Sequence, residues 1–179
     1  LDLTNKDGYR TYQRSLTLLF IKALRDVYQE YGIDNVDVRV QFTINRGLYC
    51  EVLNNQQKPL TDELIKEIES RMKAYVDQDA IIYKNTVTTS KAIKIFQKQG
   101  MKDKVCLLKY RSVSNTNIYE LDGFYDYYYG YMVPSYGDIG LFELHAHDEG
   151  VMVQYVSKSK PQKVAPFEPA ELLFDTQKE

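Results

Sequence analysis

The stretch from about Lys6 to Tyr31 constrains this chain more than any other, because it reads as one long helix that is apolar around most of its girth. Thr4 and Asn5 can cap its start, and Gly32 can end it. Leu16, Leu19, Phe20, Ala23, Val27 and Tyr31 recur at helical spacing, and Leu18, Ile21 and Leu24 widen the stripe. A helix with so wide an apolar surface must be covered on more than one side. The expectation is an α+β fold in which an antiparallel sheet curls around this central helix.

Hairpins elsewhere in the chain supply the strands. Val36, Val38 and Val40 alternate with polar residues, Asn45-Arg46-Gly47 reads as a turn, and Leu48–Leu53 runs back. Thr61 or Asp62 can cap a second helix with the stripe Leu64, Ile65, Ile68, Met72, Tyr75 and Val76. Ala80–Val87 reads as a strand. Thr88, Thr89 or Ser90 can cap a third helix carrying Ala92, Ile93 and Phe96, and Met101–Tyr110 is read as a short fourth helix. Asn117–Asp122 and Phe124–Tyr129 form a hairpin about Asp122-Gly123. Gly140–His147 and Val151–Val156 form another, about Asp148-Glu149-Gly150. Residues 1–157 are expected to be one module. Residues 158–179, with three prolines and few apolar anchors, are expected to be a linker or tail leading toward a further domain. The chain opens at Leu1 inside a patterned segment, as an excised fragment would.

Six of the nineteen residues of DGFYDYYYGYMVPSYGDIG, Asp122–Gly140, are tyrosine. Tyrosine offers a stacking face and a hydroxyl, which suits planar or sugar-like ligands; the same residues can equally form an aromatic wall under a helix. Net charge is −2 over 179 residues, so no global field collects nucleic acid and any RNA contact has to be local. Cys50 and Cys106, far apart in sequence, read as reduced core thiols. No apolar run approaches a membrane span. A cytoplasmic location is expected.

Catalytic patterns are scarce. No G-x-x-x-x-G-K followed by Ser or Thr is present, nor G-x-S-x-G, nor C-x-x-C. His145 and His147 would share a strand face and lack a third ligand. Lys91, Lys94 and Lys98 share one helix face, most simply a solvated one. Asp126 and Asp138 read as turn and cap residues.

The order of several blocks carries a resemblance. DYYYGYMVPSYG is similar to the D-x-C-x-G-P-H-V-P-S-T-G stretch of the second additional, editing domain of threonyl-tRNA synthetases. LDLTNKDGYRTYQRSLTLLFIKAL stands where that family has a helix bearing H-x-x-x-H, and GLYCEV (47–52) and PLTDELIKEIESRM (59–72) follow in the family's order. YQRSL, GLYCE, GMKDK and YYYGYMVPS resemble, more narrowly, the N-terminal domain of bacterial uridine kinase-like proteins, where the domain precedes a P-loop nucleoside kinase domain. ATP and Mg would belong to that kinase domain, with no cofactor in this chain. The resemblance implies the threonyl/alanyl-tRNA synthetase additional-domain fold.

Departures from the synthetase pattern bear on function. Arg14 and Leu18 stand at the two His positions of the helix, Tyr128 at the Cys and Met132 at the second-motif His. Leu18 and Met132 offer no hard donor, and the Arg14 guanidinium repels a cation. The expectation is therefore a non-catalytic accessory domain with no metal, binding a nucleotide, a nucleoside or an RNA end. Its expected cleft places a positive end at Arg14 or Arg46 against an aromatic wall at Tyr127, Tyr128, Tyr129 and Tyr131, with Gln41, Tyr49 and Ser135 at its border. Alternatives are a structural or homodimerising module with the tyrosines as interface, and an editing hydrolase acting on aminoacyl-tRNA.

Overall fold

A computed structural model of the chain describes residues 6–34, 36–44, 47–53, 57–111, 113–128, 130–137, 139, 142–147 and 150–155. The proposed linker, residues 158–179, lies outside them, as do Asn45, Arg46, Tyr129 and Asp138.

The long helix α1 spans Lys6–Glu30. It ends as the sequence suggests: Gly32 sits at φ +80°, its N–H donates to the Gln29 carbonyl at 2.9 Å, and Ile33 N–H donates to the Tyr28 carbonyl at 3.0 Å. This pair of bonds satisfies the last carbonyls of the helix, and it needs a residue tolerant of positive φ. From Leu16 to Leu24 only Lys22 is not buried, so the broad apolar girth is covered. Tyr31 departs from its assigned place in the stripe. It lies past the helix end, 46% exposed, with its hydroxyl donating to Glu67 and Lys58 Nζ 3.8 Å from its ring centre.

The fold is mixed α and β, and its strands are antiparallel. They form two sheets where one was expected. The larger has the order β1-β2-β7-β6, from β1 (Asp37–Ile44), β2 (Gly47–Leu53), β7 (Gly150–Tyr155) and β6 (Phe142–His147). The smaller has the order β3-β4-β5, from β3 (Ile82–Thr88), β4 (Asn115–Leu121) and β5 (Phe124–Asp126). Both turn residues between β4 and β5, Asp122 and Gly123, have positive φ (46° and 86°), the geometry that matches the twist of a tight hairpin. β5 stops at Asp126, three residues before the expected Tyr129.

Helix α2 (Asp62–Asp77) is capped by Thr61, whose hydroxyl accepts from Leu64 N–H at 3.1 Å. Helix α3 (Thr89–Lys98) is capped by Thr88, and the short α4 (Lys102–Tyr110) follows after one turn. α1 packs on α2 and also touches β1 of the larger sheet and β4 of the smaller. One face of the larger sheet, through Leu48, Cys50, Val52, Val151, Val153, Phe142 and Leu144, joins both helices in a common core that continues into Ile118, Leu121, Ala92, Phe96 and Leu108. No helix among the described residues is long and apolar enough to cross a membrane.

Two polar side chains, the buried Arg25 and the half-buried Gln99, fix the elements that build the site. Arg25, 7% exposed, donates to the Val36 carbonyl (3.1 Å) and to the Gln99 carbonyl (2.6 Å) and lies over the Phe124 ring. It thereby ties α1 to the entry of β1 and to the α3–α4 turn. Gln99 then clamps the edge strand β5 at Tyr125, accepting from its N–H (2.9 Å) and donating to its carbonyl (2.7 Å). The clamp occupies backbone groups that an edge strand otherwise leaves open, and it sets the position of the next residue, Asp126.

Candidate functional site

A cleft of about 380 Å³ opens where α1, β1, α4 and the end of β5 meet. That volume falls within the range of small-ligand sites. Its walls are apolar (Ile21, Val38, Val40, Met101, Leu107), and its polar lining comprises Thr17, Asp37, Arg39, Asp103, Lys104, Asp126 and Tyr128.

Asp126 is the most unusual residue in the cleft. It is a carboxylate with 1% exposure, held at the end of β5 by the Gln99 clamp one residue earlier. Its Oδ1 accepts from Tyr127 N–H at 2.7 Å and lies 3.3 Å from Lys104 Nζ. Lys104 also donates to the Tyr127 carbonyl at 2.9 Å, and its ammonium sits 5.2 Å from the centre of the Tyr128 ring. Burial raises the Asp126 pKa; the nearby Lys104 charge and hydrogen bond only partly offset it. The sequence reading of Asp126 as a turn or cap residue is therefore corrected. The residue is a buried carboxyl group with a specific cationic partner, an arrangement common at functional sites.

Tyr128 stands over this pair. Its hydroxyl is buried beside the Asp126 carboxylate; burial raises the tyrosine's pKa, and the charge and hydrogen bond of Asp126 add to the shift. Tyr128, Asp126 and Lys104 thus form a polar group set in an otherwise apolar cleft wall. At the mouth, Arg39 Nε on β1 and Asp103 Oδ2 on α4 face each other at 3.8 Å, both exposed. Such a pair holds the rim weakly. Burial also raises the Asp37 pKa, its hydrogen bond from Val38 N–H and the Arg25 charge opposing the shift.

The other expected site residues divide. The tyrosine segment lies along the start of α1: Arg14 Nε donates to the Tyr131 carbonyl at 3.0 Å, Val133 N–H donates to Ser15 Oγ at 2.9 Å, and Tyr136 donates to the Ser15 carbonyl at 2.7 Å. Gly130 lies so close that an added Cβ would sit 2.9 Å from the Arg14 guanidinium carbon. Arg14 thus caps the segment's backbone, and no carboxylate among the described side chains pairs with it. Tyr131 is 77% exposed. Tyr127 is buried beneath Arg111, whose guanidinium carbon is 5.3 Å from its ring centre, and lines a smaller pocket of about 210 Å³ with Asn115, Thr116, Asn117 and Gly130. Tyr49 does not line the cleft. It is buried in β2 and leans on Gly150, where an added Cβ would meet its hydroxyl at 2.8 Å. Ser135 is also elsewhere, bridged to Ile81 and hydrogen-bonded to Asp79. Arg46, Tyr129 and the side chain of Gln41 are outside the described residues.

The four residues at the resembled metal positions do not fit a cation. Leu18 is fully buried and apolar, Arg14 is a cation engaged with Tyr131, Met132 offers only a thioether and Tyr128 a phenol of raised pKa. Among the described residues, no group of three His, Cys, Asp or Glu side chains could hold a metal. Cys50 is buried, and burial pushes its thiol up to about 12, which makes it inert. Cys106 is exposed on α4, contrary to the expectation of two core thiols.

Sequence reasoning missed Thr17, Asp37, Arg39, Asp103 and Lys104 as cleft residues and misjudged Asp126. Two signals were available: Lys104 closes the GMKDK block, and Asp126 is the first residue of the D-x-C-like motif.

No family model matches the chain. Among curated proteins it is similar to threonine–tRNA ligases. The ligase of Aquifex aeolicus is 29% identical over 141 residues, covering 78% of this chain and 22% of the ligase. That of Paraburkholderia phytofirmans is 27% identical over 139 residues, covering 77% and 21%. That of Syntrophotalea carbinolica is 26% identical over 144 residues, covering 80% and 22%. The chain thus spans about a fifth of the length of the curated relatives it matches. These likenesses support a threonyl-tRNA synthetase-like domain.

Proposed function

We propose that this chain is an accessory domain that binds the end of an RNA strand, or a nucleotide resembling it, in the cleft between α1, β1 and α4, without metal chemistry. One observation carries the proposal: an apolar-walled cleft whose lining sets Tyr128 beside the buried Asp126–Lys104 pair. A base or ribose would lie against Val38, Val40 and Leu107. Its hydroxyls would meet Tyr128 and Asp126, and a phosphate at the mouth would meet Arg39 in place of Asp103. The relatives' name, threonine–tRNA ligase, supports RNA as the ligand class. The finer fold we propose is that of the synthetase additional domain, its sheets curling about α1. Residues 1–157 would be the module, and residues 158–179 would lead to a neighbouring domain. The YQRSL and YYYGYMVPS blocks support a uridine kinase-like parent in the cytoplasm, with ATP and Mg confined to its kinase domain.

Calorimetric titration with adenine and uridine nucleotides and with short RNA oligonucleotides tests the proposal. Binding is expected, weakened by about 1.5–3 kcal/mol in Arg39→Ala, the range for hydrogen bonds to charged groups. Tyr128→Phe, which keeps the ring, should cost less than Tyr128→Ala. No heat with a folded protein would reject the cleft as a nucleotide site and favour an interaction module.

The Asp126–Lys104 pair favours one second reading, a hydrolase acting on aminoacyl-tRNA. A carboxylate whose pKa burial raises is a stronger base than an exposed one and is better suited to accept a proton from water. Deacylation by the wild-type chain that Asp126→Asn abolishes, with RNA binding intact, would promote this reading over the first.

A further inference from the structure

The chain's net charge of −2 conceals a strong local imbalance. Between Lys84 and Arg111, 28 residues hold eight Lys or Arg and a single acidic residue, Asp103, a local charge of +7; the remainder of the chain is correspondingly acidic. The fold concentrates this charge on the α3–α4 hairpin. α3 buries Thr89, Ala92 and Phe96, and at 100° per residue Lys91, Lys94 and Lys98 project from the opposite side. On α4, Lys102 and Lys109 are both exposed and lie seven residues, about two turns, apart on one flank. None of these five lysines has an acidic partner among the described residues.

We propose that the α3–α4 hairpin is a second binding surface, a cationic platform for the sugar–phosphate backbone of an RNA whose end occupies the cleft. The proposal rests on the RNA reading of that cleft and extends it. α4 belongs to both places: Asp103, Lys104 and Leu107 line the cleft, whereas Lys102 and Lys109 face away from it beside α3. A strand leaving the cleft therefore passes the platform directly. Lysines spaced along a helix neutralise successive phosphates without reading sequence, and they act locally where the whole chain repels a polyanion. An anionic membrane fits less well. Interfacial helices set apolar anchors among their lysines, whereas the exposed residues of α3 are Ser90, Lys91, Lys94, Gln97 and Lys98; on α4 the exposed ring of Tyr110, beside Lys109, can equally stack on a base.

The test uses two probes, an RNA hairpin with a short single-stranded 3′ tail and the tail alone. Binding of each is measured over a range of salt for the wild type and for Lys91→Gln/Lys94→Gln/Lys98→Gln, whose fold is checked by circular dichroism. The wild type should bind the hairpin more tightly than the tail. The triple variant should lose that advantage, and its slope of log affinity against log salt should shrink by about 2–3, roughly one unit per lost phosphate contact. Tail binding should not change. A hairpin that binds no better than the tail, or an unchanged salt slope, overturns the platform and leaves the cleft standing. Lysine-dependent binding of the hairpin with no binding of the tail supports the platform and rejects the cleft. Lysine-dependent binding to phosphatidylserine-containing vesicles, with no hairpin advantage, overturns the proposal in favour of a membrane.

Discussion

Two aspartates hold the tyrosine-rich segment at its opposite ends, and their surroundings are contrary. Asp126, at the start, is buried with Lys104 as its partner, and burial raises its pKa. Asp79 grips the far end in solvent: it accepts from Gly137 N–H at 2.7 Å and from Ser135, and these bonds lower its pKa. Asp79 itself sits at φ +50°, at the turn leaving α2. The second arrangement is what a structural fastening requires, since a carboxylate stabilised in its charged form costs the fold nothing. The first is held against its own electrostatics, inside the cleft that α4 borders. Groups kept ionisable at such cost concentrate at sites that bind or react.

The largest expected effect comes from removing the compensation at the buried end. Lys104→Ala leaves Asp126 enclosed without its cation, and breaking a buried pair on one side costs about 3–5 kcal/mol near neutral pH. The loss should shrink as pH falls, because Asp126 can then take up a proton. Urea unfolding at about pH 7 and about pH 4.5 measures both values. An equal loss at the two would show that Lys104 acts through packing and that Asp126 is not the burdened ion.

The two ends should also respond to pH with opposite signs. The folded pKa of Asp126 lies above the ordinary carboxyl value of 3.8, so the folded state holds this proton more tightly than the unfolded chain. Its contribution is greatest in acid and is lost as pH rises from 3.8 through the folded value. The folded pKa of Asp79 lies below 3.8, so its contribution is present above that value and is lost as pH falls through the folded one. Stability measured against pH should therefore show wild type losing ground to Asp126→Asn as pH rises, and losing its advantage over Asp79→Asn as pH falls. Slopes of the same sign would erase the distinction.

The fold was more legible than the site, for reasons visible in particular residues. Thr61, Thr88, Gly32 and Asp122-Gly123 act on their immediate neighbours, so their signals survive in a single sequence. The division into two sheets depends on β2 pairing with β7 about a hundred residues away, which no local pattern encodes. Asp126 followed a hairpin and preceded a glycine-bearing loop, so local chemistry indicated a turn. Its burial is imposed by Gln99 and Lys104, neither of them close in sequence. Tyr49 was judged by residue type, although alternation along β2 already placed it on the face opposite Leu48 and Cys50.

A smaller effect is expected at the solvent end. An added Cβ on Gly137 would stand 2.6 Å from Asp79 Oδ1, but that atom is the end of a side chain that can swing away. Gly137→Ala should lower the melting temperature modestly by breaking the fastening. In an Asp79→Ala background it should cost less, since the clash and the hydrogen bond are then both absent. Additive losses in the double variant would mean that Gly137 matters for its own backbone and that Asp79 fastens nothing.

The smallest effect on stability, and the simplest assay, is offered by the two thiols, which repeat the contrast between buried and exposed. Cys50 is enclosed in β2 with its pKa pushed up to about 12, whereas Cys106 is exposed on α4. A thiol reagent at neutral pH should therefore titrate one group promptly. Cys106→Ser should abolish that reaction with little change in melting temperature, and Cys50 should react only as the protein unfolds. Cys106 and Lys104 are two residues apart on one helix, so they point to opposite flanks. A nucleotide confined to the cleft should leave the Cys106 rate unchanged, and an RNA hairpin lying along the lysines should slow it. Slowing by the mononucleotide would place the ligand on the outer flank of α4 and remove the separation between cleft and platform.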